Sequence, residues 1–446
     1  MSDNSWIVEP HEKNWRWIIE LDDRVMHEVD IYSENERWKR LSVYRLPASI
    51  IKLNRNAYTP QVVSFGPCYH GHANLKPMEE HKDRALLHFL RRSRKPIMVY
   101  VQCLNIVVDD LRAAYQSLDN HWREDTESFL QLMILDGCFM LEILRIFTRS
   151  MEGYAESDPI FSNHGIVYVM PDIMRDMLMI ENQLPMLVLH RLVAAEGASN
   201  TQAEDYVNKL LFRLYNLGSY SRHKSIDKSL HVLDICHRVL LLSSDASHLR
   251  RKLWPSWVLE KTIPSATELH EAGIQIQRSR STNLQDIRFY KGVFCVTLKI
   301  PVIVVDNITE TFFLNLLAFE RLHVGAGREV TNYLAFMNNI IRDSKDITLL
   351  RSCGIIQNSL GKDEVVADLF NSLTRDITID PDSSVYMVEK KVIKYCSRPW
   401  VRWRANLVRT YFKNPWASIS VIGSMFLFAF TFAQTGYTVI AYYRRP

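Results

Sequence analysis

The strongest constraint on this chain lies at its C-terminal end. From Asn414 to Tyr443 no side chain is charged, and most positions are Ile, Val, Phe, Leu, Met, Ala or Tyr. A helix needs roughly 20 apolar residues to cross a hydrocarbon core of about 30 Å, and Trp416 to Ile440 supplies that length with some to spare for tilt. Trp416 at one end and Tyr442 and Tyr443 at the other suit the two water interfaces, and basic residues flank both sides. One transmembrane helix over 414–443 is therefore expected, with the lipid bilayer as its partner.

Positive charge sets the expected orientation. Arg398, Arg402, Arg404, Arg409 and Lys413 precede the span and only Arg444 and Arg445 follow it, so the positive-inside bias keeps the large N-terminal part cytosolic. The opening residues MSDNSWIVEPHEKNW are polar where a secretory signal needs an apolar run, which predicts insertion after synthesis, as for a tail-anchored protein with a tail at 444–446. Plasma membrane is the default address. The sequon Asn307-Ile308-Thr309 offers a check, because a sugar on Asn307 would reverse this topology.

The seven cysteines are scattered and form no CxxC pair, a pattern that fits a reduced compartment better than a disulfide framework. A net charge of +4 on 446 residues, with the basic excess gathered near the span, gives no footprint for nucleic acid. The apolar content is enough to bury a large core.

Residues 1–40, with Trp6, Trp15, Trp17 and Trp38 in a polar background, read as a helical extension packed on the body. Residues 41–396 form that body. It opens with a Pro- and Gly-rich stretch from Tyr44 to Gly71, which reads as loop. From Met78 onward apolar residues recur at helical spacing, closed by Arg91, Arg92, Arg94 and Lys95 before Pro96. The run from Ser128 to Phe147 is apolar nearly all round and predicts a buried helix. A further buried helix is expected after Pro171, with Asp172 as its cap and a kink or restart at Pro185. Residues 287–306 predict a small β region. The fold class is thus mainly α, with a minor β element and a C-terminal span. Residues 397–413 form a basic and aromatic juxtamembrane segment.

Nine ordered segments carry a resemblance. VYRLP (43–47), AYTPQVVSFGP (57–67), MEEHK (78–82), DGCFMLE (136–142), IENQLP (180–185), ATELHEAGI (266–274), NLLAFER (315–321), TNYLAFMNNII (331–341) and the C-terminal apolar run are similar to the plant-specific DUF247 family, of UPF0481 type. The resemblance covers Val43 to Tyr443. It implies a helical body with one C-terminal membrane helix and no activity established for the class. Some grass members are associated with pollen-side self-incompatibility recognition. The chain departs from the family pattern in the early loop, where Gly66-Pro67-Cys68-Tyr69-His70-Gly71 keeps one of two usual histidines, which weakens a catalytic or metal role for the missing one.

Several groups could carry chemistry. Cys68, His70 and His72 could form a metal corner, but a fourth ligand is not identified by spacing. Asp136, Glu142 and Glu181 sit in apolar helices, where general acids and di-metal ligands are found. A di-metal bundle needs two Glu-x-x-His pairs, and only Glu320 to His323 provides one. The blander expectation is that each acid pairs with an arginine or accepts backbone N–H groups, because an unpaired buried charge costs several kcal/mol. Glu181, Asn182 and Gln183 then form a polar bracket beside Pro185. Phosphate-loop, dinucleotide, zincin and hydrolase-elbow signatures are missing. No catalytic, cofactor or metal residue is assigned. The early loop, with Tyr44, Arg45, Pro47, Gly66, Pro67, His70 and Gly71, is the candidate surface, either functional or a structural clasp. Trp400, Arg402, Trp403, Arg404, Arg409, Lys413 and Trp416 are expected at the anionic membrane face. The reading is a tail-anchored plant membrane protein that recognises an unidentified protein partner. A membrane-tethered enzyme using Glu181, Glu142 or His70 is the alternative.

Overall fold

A computed structural model describes residues 17, 18, 21 and 31–443, apart from 53, 147, 149–152, 218–228, 242–262, 282, 293–294, 375–379, 381 and 412–414. Trp6, Trp15, Lys413 and the 444–446 tail lie outside the described residues. So do most of 1–30 and the side chains of Arg409 and Trp416.

Two hydrophobic cores organise the body. The first is built around the helix Thr126–Arg145, whose side chains are buried on nearly every face. Asp125 starts this helix by accepting the Ser128 N–H at 3.0 Å, the usual remedy for an orphan donor of the first turn. Packed on it are the helices Pro77–Ser93, Ile97–Asn105, Met186–Ala195 and Asn200–Leu214. Pro77–Ser93 begins on a proline, carries Glu79 and Glu80 in its first turn, and ends at Arg94 in the left-handed region, φ 54°. Its buried stripe is Met78, Lys82, Ala85 and Phe89, at the three- and four-residue spacing of one helix face. The stretch around 200, polar in sequence, is an amphipathic helix opened by a Ser199–Gln202 capping box.

The second core gathers the helices Ala266–Glu271, Thr309–Leu322, Glu329–Ile340, Ser344–Ser352, Asp363–Leu373 and Ser384–Cys396. Strands β1 (Ile274–Arg278), β2 (Arg288–Lys291) and β3 (Val296–Ile300) form one sheet in the order β1-β3-β2, with β1 parallel and β2 antiparallel to β3. A second, two-stranded sheet pairs β4 (Ile303–Val305) in parallel with β5 (Ile356–Asn358). The expected β region at 287–306 thus holds three of the five strands among the described residues. β1 and β5 are short segments whose pairing partners are distant in sequence, and local alternation does not reveal them.

The segment after Pro171 corrects one expectation. A helix runs only from Met170 to Asp176, and the next starts at Met186, leaving 177–185 irregular. Asp172 lies in the first turn without a capping bond and instead pairs with Arg175 at 3.6 Å, because Pro171 already occupies a first-turn position that needs no donor partner. In the N-terminal extension the helix Ile31–Arg40 is described. Its Trp38 stands 53% exposed, while Arg40 reaches Asp110 at 3.4 Å.

After the body come the helices Pro399–Tyr411 and Pro415–Tyr443. Among the described residues no helix is long and apolar enough to cross a membrane, so the span expected over 414–443 is not found as such. The apolar run is diluted by Ser424, Thr431, Gln434, Thr435 and Thr438. Four of those hydroxyls bond back to the carbonyl four residues earlier: Ser424 to Ser420, Thr431 to Leu427, Thr435 to Thr431 and Thr438 to Gln434, at 2.7–2.8 Å.

Candidate functional site

The early loop and the 176–185 segment meet between the two cores. Val63 and Phe65 belong to the first core, while Tyr44, Leu46 and Tyr58 belong to the second. The loop has little regular backbone pairing of its own, so its buried N–H groups need other acceptors. Side chains supply them. Asp176 Oδ2 accepts the N–H groups of Gln61, Val62 and Val63 at 2.9, 2.7 and 3.1 Å. Asn182 accepts from Phe65 N–H at 2.7 Å and donates to the carbonyls of Val63 and Asp176. Asp136 Oδ2 accepts from Gly66 N–H at 2.8 Å.

Glu181 bridges two parts of the loop, accepting Leu46 N–H on Oε1 at 2.7 Å and the Tyr69 hydroxyl on Oε2 at 2.6 Å. Gln183 donates to the carbonyls of Met177 and Met179, both at 2.7 Å, and its own carbonyl accepts the Tyr115 hydroxyl at 3.2 Å. Asn315 ties in the second core by accepting Ile180 N–H at 2.9 Å and donating to Ala57 O at 2.8 Å. Gly66 sits at φ +72°, and a Cβ there would lie 2.8 Å from Tyr115 Oη and 2.9 Å from Gln183 O. Only glycine meets both demands.

Two acids of this junction, Asp136 and Asp176, are paired with cations. Lys82 and Asp136, both fully buried, form an ion pair at 2.7 Å, and Lys82 also donates to Ser64 Oγ at 3.1 Å and pairs with Glu79 at 2.8 Å. Burial raises the Asp136 carboxyl, with the Lys82 ammonium opposing the shift. Burial likewise raises Asp176 against its backbone bonds and Arg175. Glu142 is held by Arg92 and accepts the Tyr154 hydroxyl at 3.0 Å; Arg145 lies 3.5 Å away.

The remaining candidates do not converge. Pro47 is exposed before a short helix at Ala48–Ile51, Arg45 is half-buried, its N–H donating to Gln116 at 3.0 Å, and Pro67 is buried beside Gly66. His70 is exposed and edge-on to Trp122 at 5.5 Å; His72 packs on Tyr69 at 5.3 Å. Gly71, at φ +81°, turns the chain in open space. Burial pushes the Cys68 thiol up to about 12, which leaves it protonated and a poor nucleophile at neutral pH. No group of three or more metal-ligating side chains occurs among the described residues. The Glu-x-x-His pair is divided. Glu320 bonds His237 at 2.8 Å and the N–H groups of Val330 and Thr331, whereas His323 Nδ1 faces the Tyr44 hydroxyl at 2.8 Å. The sequon threonine, Thr309, is buried, its hydroxyl donating to Asp306 at 2.8 Å. Trp400, Arg402, Trp403 and Arg404 are exposed on the Pro399–Tyr411 helix.

Lys82, Asp176, Asn315 and His231 were not singled out from sequence. For Lys82 a signal existed, since a lysine within an apolar helical stripe demands a buried acid. His231 Nδ1 accepts from Asp234 N–H at 3.1 Å and its Nε2 bonds Ser42 O at 3.1 Å. Burial depresses this imidazole to about 4. The first nitrogen is an acceptor for a fixed donor, so the ring is neutral with its proton on Nε2.

The family model of DUF247, described as a plant protein of unknown function, matches residues 43–430. A UPF0481 protein of Arabidopsis thaliana is 29% identical over 430 residues, covering 90% of this chain and 86% of the relative. A second from the same plant is 22% identical over 510 residues, covering 92% of each. No solved structure matches.

Proposed function

The chain belongs to the DUF247 family of plant proteins, and from that premise we propose that it is held at a membrane by its C-terminal helix and acts there by binding a protein partner. The observation that carries the recognition reading is the use made of the polar motif residues. Asp136, Asp176, Glu181, Asn182 and Asn315 each take up backbone groups that the fold would otherwise bury unpaired. Acceptors committed in this way are poorly placed to exchange protons with a substrate, and the exposed loops are left to recognise a partner.

Support for the tether comes from the helix Pro415–Tyr443, 29 residues long, which at 1.5 Å per residue extends about 43 Å. Its described side chains are largely exposed in the isolated chain, Phe428 at 76% and Phe432 at 77%, so no described part of the body covers them. Hydroxyls that bond their own helix lose little on leaving water. The body would face the cytosol, on the side carrying more basic residues.

Proximity labelling tests this reading, with the enzyme fused at the N-terminus of the full chain and of a version ending at Lys413. A reproducible set of membrane proteins labelled only by the full chain supports it. Uniform membrane background, together with a metal or small molecule that co-purifies with the body and is lost on His70→Ala or Glu181→Gln in folded protein, would replace it with the tethered enzyme.

A further inference from the structure

Charge is unevenly distributed along the chain. Between Ser384 and Lys413 there are eight basic residues and one acid, a net +7 in a protein whose total is +4, which leaves the other residues at −3. The fold sorts this charge further. On the helix Ser384–Cys396 the buried face is Val385, Val388, Glu389, Val392 and Tyr395. The one acid, Glu389, is thus turned into the core, where it bonds Asn339 at 3.1 Å and burial raises its carboxyl. Lys390, Lys391 and Lys394 lie on the opposite face with the exposed Met387.

The helix Pro399–Tyr411 follows after a short turn. Val401 anchors it in the second core, Trp400 packs edge-on against Tyr395 at 5.9 Å, and Arg402 and Trp403 point away from the core, Trp403 at 69% exposure. Asp380 and Asp382 precede the N-terminus of the first helix, whose span from Ser384 to Lys394 is about 15 Å at helical rise.

We propose that these two helices form one docking platform for anionic lipid headgroups, with Lys390, Lys391, Lys394 and Arg402 meeting phosphate or carboxylate groups while Trp400 and Trp403 settle at the interface. The proposal rests on the tether reading and extends it, because it fixes which face of the body lies on the membrane. Three features select a lipid surface as the occupant. Lysines spread over a helix face act as point charges and suit a diffuse negative surface rather than one fixed ligand. Exposed tryptophans beside them match the amphipathic depth of the headgroup region. The platform also leads directly into the uncharged helix Pro415–Tyr443.

The test uses the full chain reconstituted into vesicles of pure phosphatidylcholine or of phosphatidylcholine with about 30% phosphatidylserine. Flotation measures attachment, and the rate of amine-reactive labelling at Lys391 and Lys394, read by mass spectrometry, measures docking. We expect flotation with both vesicles and labelling at least threefold slower on the anionic ones, relieved by 0.5 M salt as screening predicts. In the variant Lys391→Glu/Lys394→Glu, whose changes are confined to exposed positions, quenching of tryptophan fluorescence by brominated phosphatidylserine should fall to the level seen with brominated phosphatidylcholine. Flotation with both vesicles but equal labelling rates and no composition-dependent quenching would overturn the platform while leaving the tether intact. Absence of flotation with either would overturn the tether. Salt-sensitive protection appearing only when a purified acidic protein is added would assign the face to a protein instead and refute the lipid assignment.

Discussion

Replacing Lys82 with methionine isolates the electrostatics of the clasp. Methionine keeps most of the lysine stem's packing next to Met78, Ala85 and Phe89 and deletes only the ammonium. Asp136, fully buried, is then left with Gly66 N–H as its remaining partner. Breaking a buried pair from one side costs about 3–5 kcal/mol, and the lost bond to Ser64 adds on the order of 1 kcal/mol. Against a domain stability of about 5–15 kcal/mol that is a large fraction. Urea unfolding of the full chain in mild detergent, followed by circular dichroism, should show the midpoint falling with an unchanged slope.

Two controls sharpen the result. Adding Asp136→Asn removes the charge and retains an acceptor for Gly66 N–H, so the double variant should recover more than half of the loss. The pH dependence has a defined sign. Burial raises the Asp136 carboxyl and Lys82 opposes that rise, so losing the lysine raises it further. A carboxyl with a folded pKa above its unfolded value keeps its contribution at low pH and loses it as pH rises through the folded pKa. The deficit of Lys82→Met should therefore be larger at pH 8 than at pH 5. A variant within about 1 kcal/mol of wild type, or one whose deficit is the same at both pH values, would refute the reasoning.

Other perturbations address neighbouring parts. Glu181→Ala strands Leu46 N–H and leaves the Tyr69 hydroxyl with the Tyr58 carbonyl at 3.2 Å as its acceptor, and should cost about 1–3 kcal/mol, with Glu181→Gln intermediate; an unchanged melting temperature would count against a clasp. Gly66→Ala forces a side chain into the left-handed region and within 3 Å of Tyr115 and Gln183, so a loss of about 2 kcal/mol or more is expected in the same melts. His231, depressed to about 4, contributes stability that is complete above pH 6.5 and declines as pH falls towards 4. His231→Gln should flatten the stability curve in that window by about 1.4 kcal/mol per pH unit, and parallel curves for the two proteins would disprove the assignment.

What the sequence revealed was mostly local. The helix expected from Ser128 to Phe147 runs from Thr126 to Arg145, because its apolar run is long and its cap is adjacent. The expectation that its acids would pair with an arginine or accept backbone N–H groups is met at Glu142, which meets Arg92 and Arg145, and at Asp136, which accepts Gly66 N–H and is also paired with a lysine. The clasp was harder to see. Asp176 serves residues 113–115 positions away, and no periodicity within a window reports such a partner. The irregular stretch 177–185 looked helical for a related reason. Its apolar residues fill both cores, Met177 and Leu178 in the first and Ile180 in the second, which mimics the pattern of a buried helix while Gln183 takes up the carbonyls of Met177 and Met179.

The clasp also sets an order of events during synthesis. Leu46 binds a residue 135 positions later, and Tyr44 a residue 279 positions later. At about 5–20 residues per second, the early loop leaves the ribosome tens of seconds before its last partner exists. Its second-core side chains, Tyr44, Leu46 and Tyr58, must wait exposed through that interval, and closing so long a loop comes late in folding. Cellular yield of this protein should therefore depend on chaperones that shield the first seventy residues until the junction can close over them.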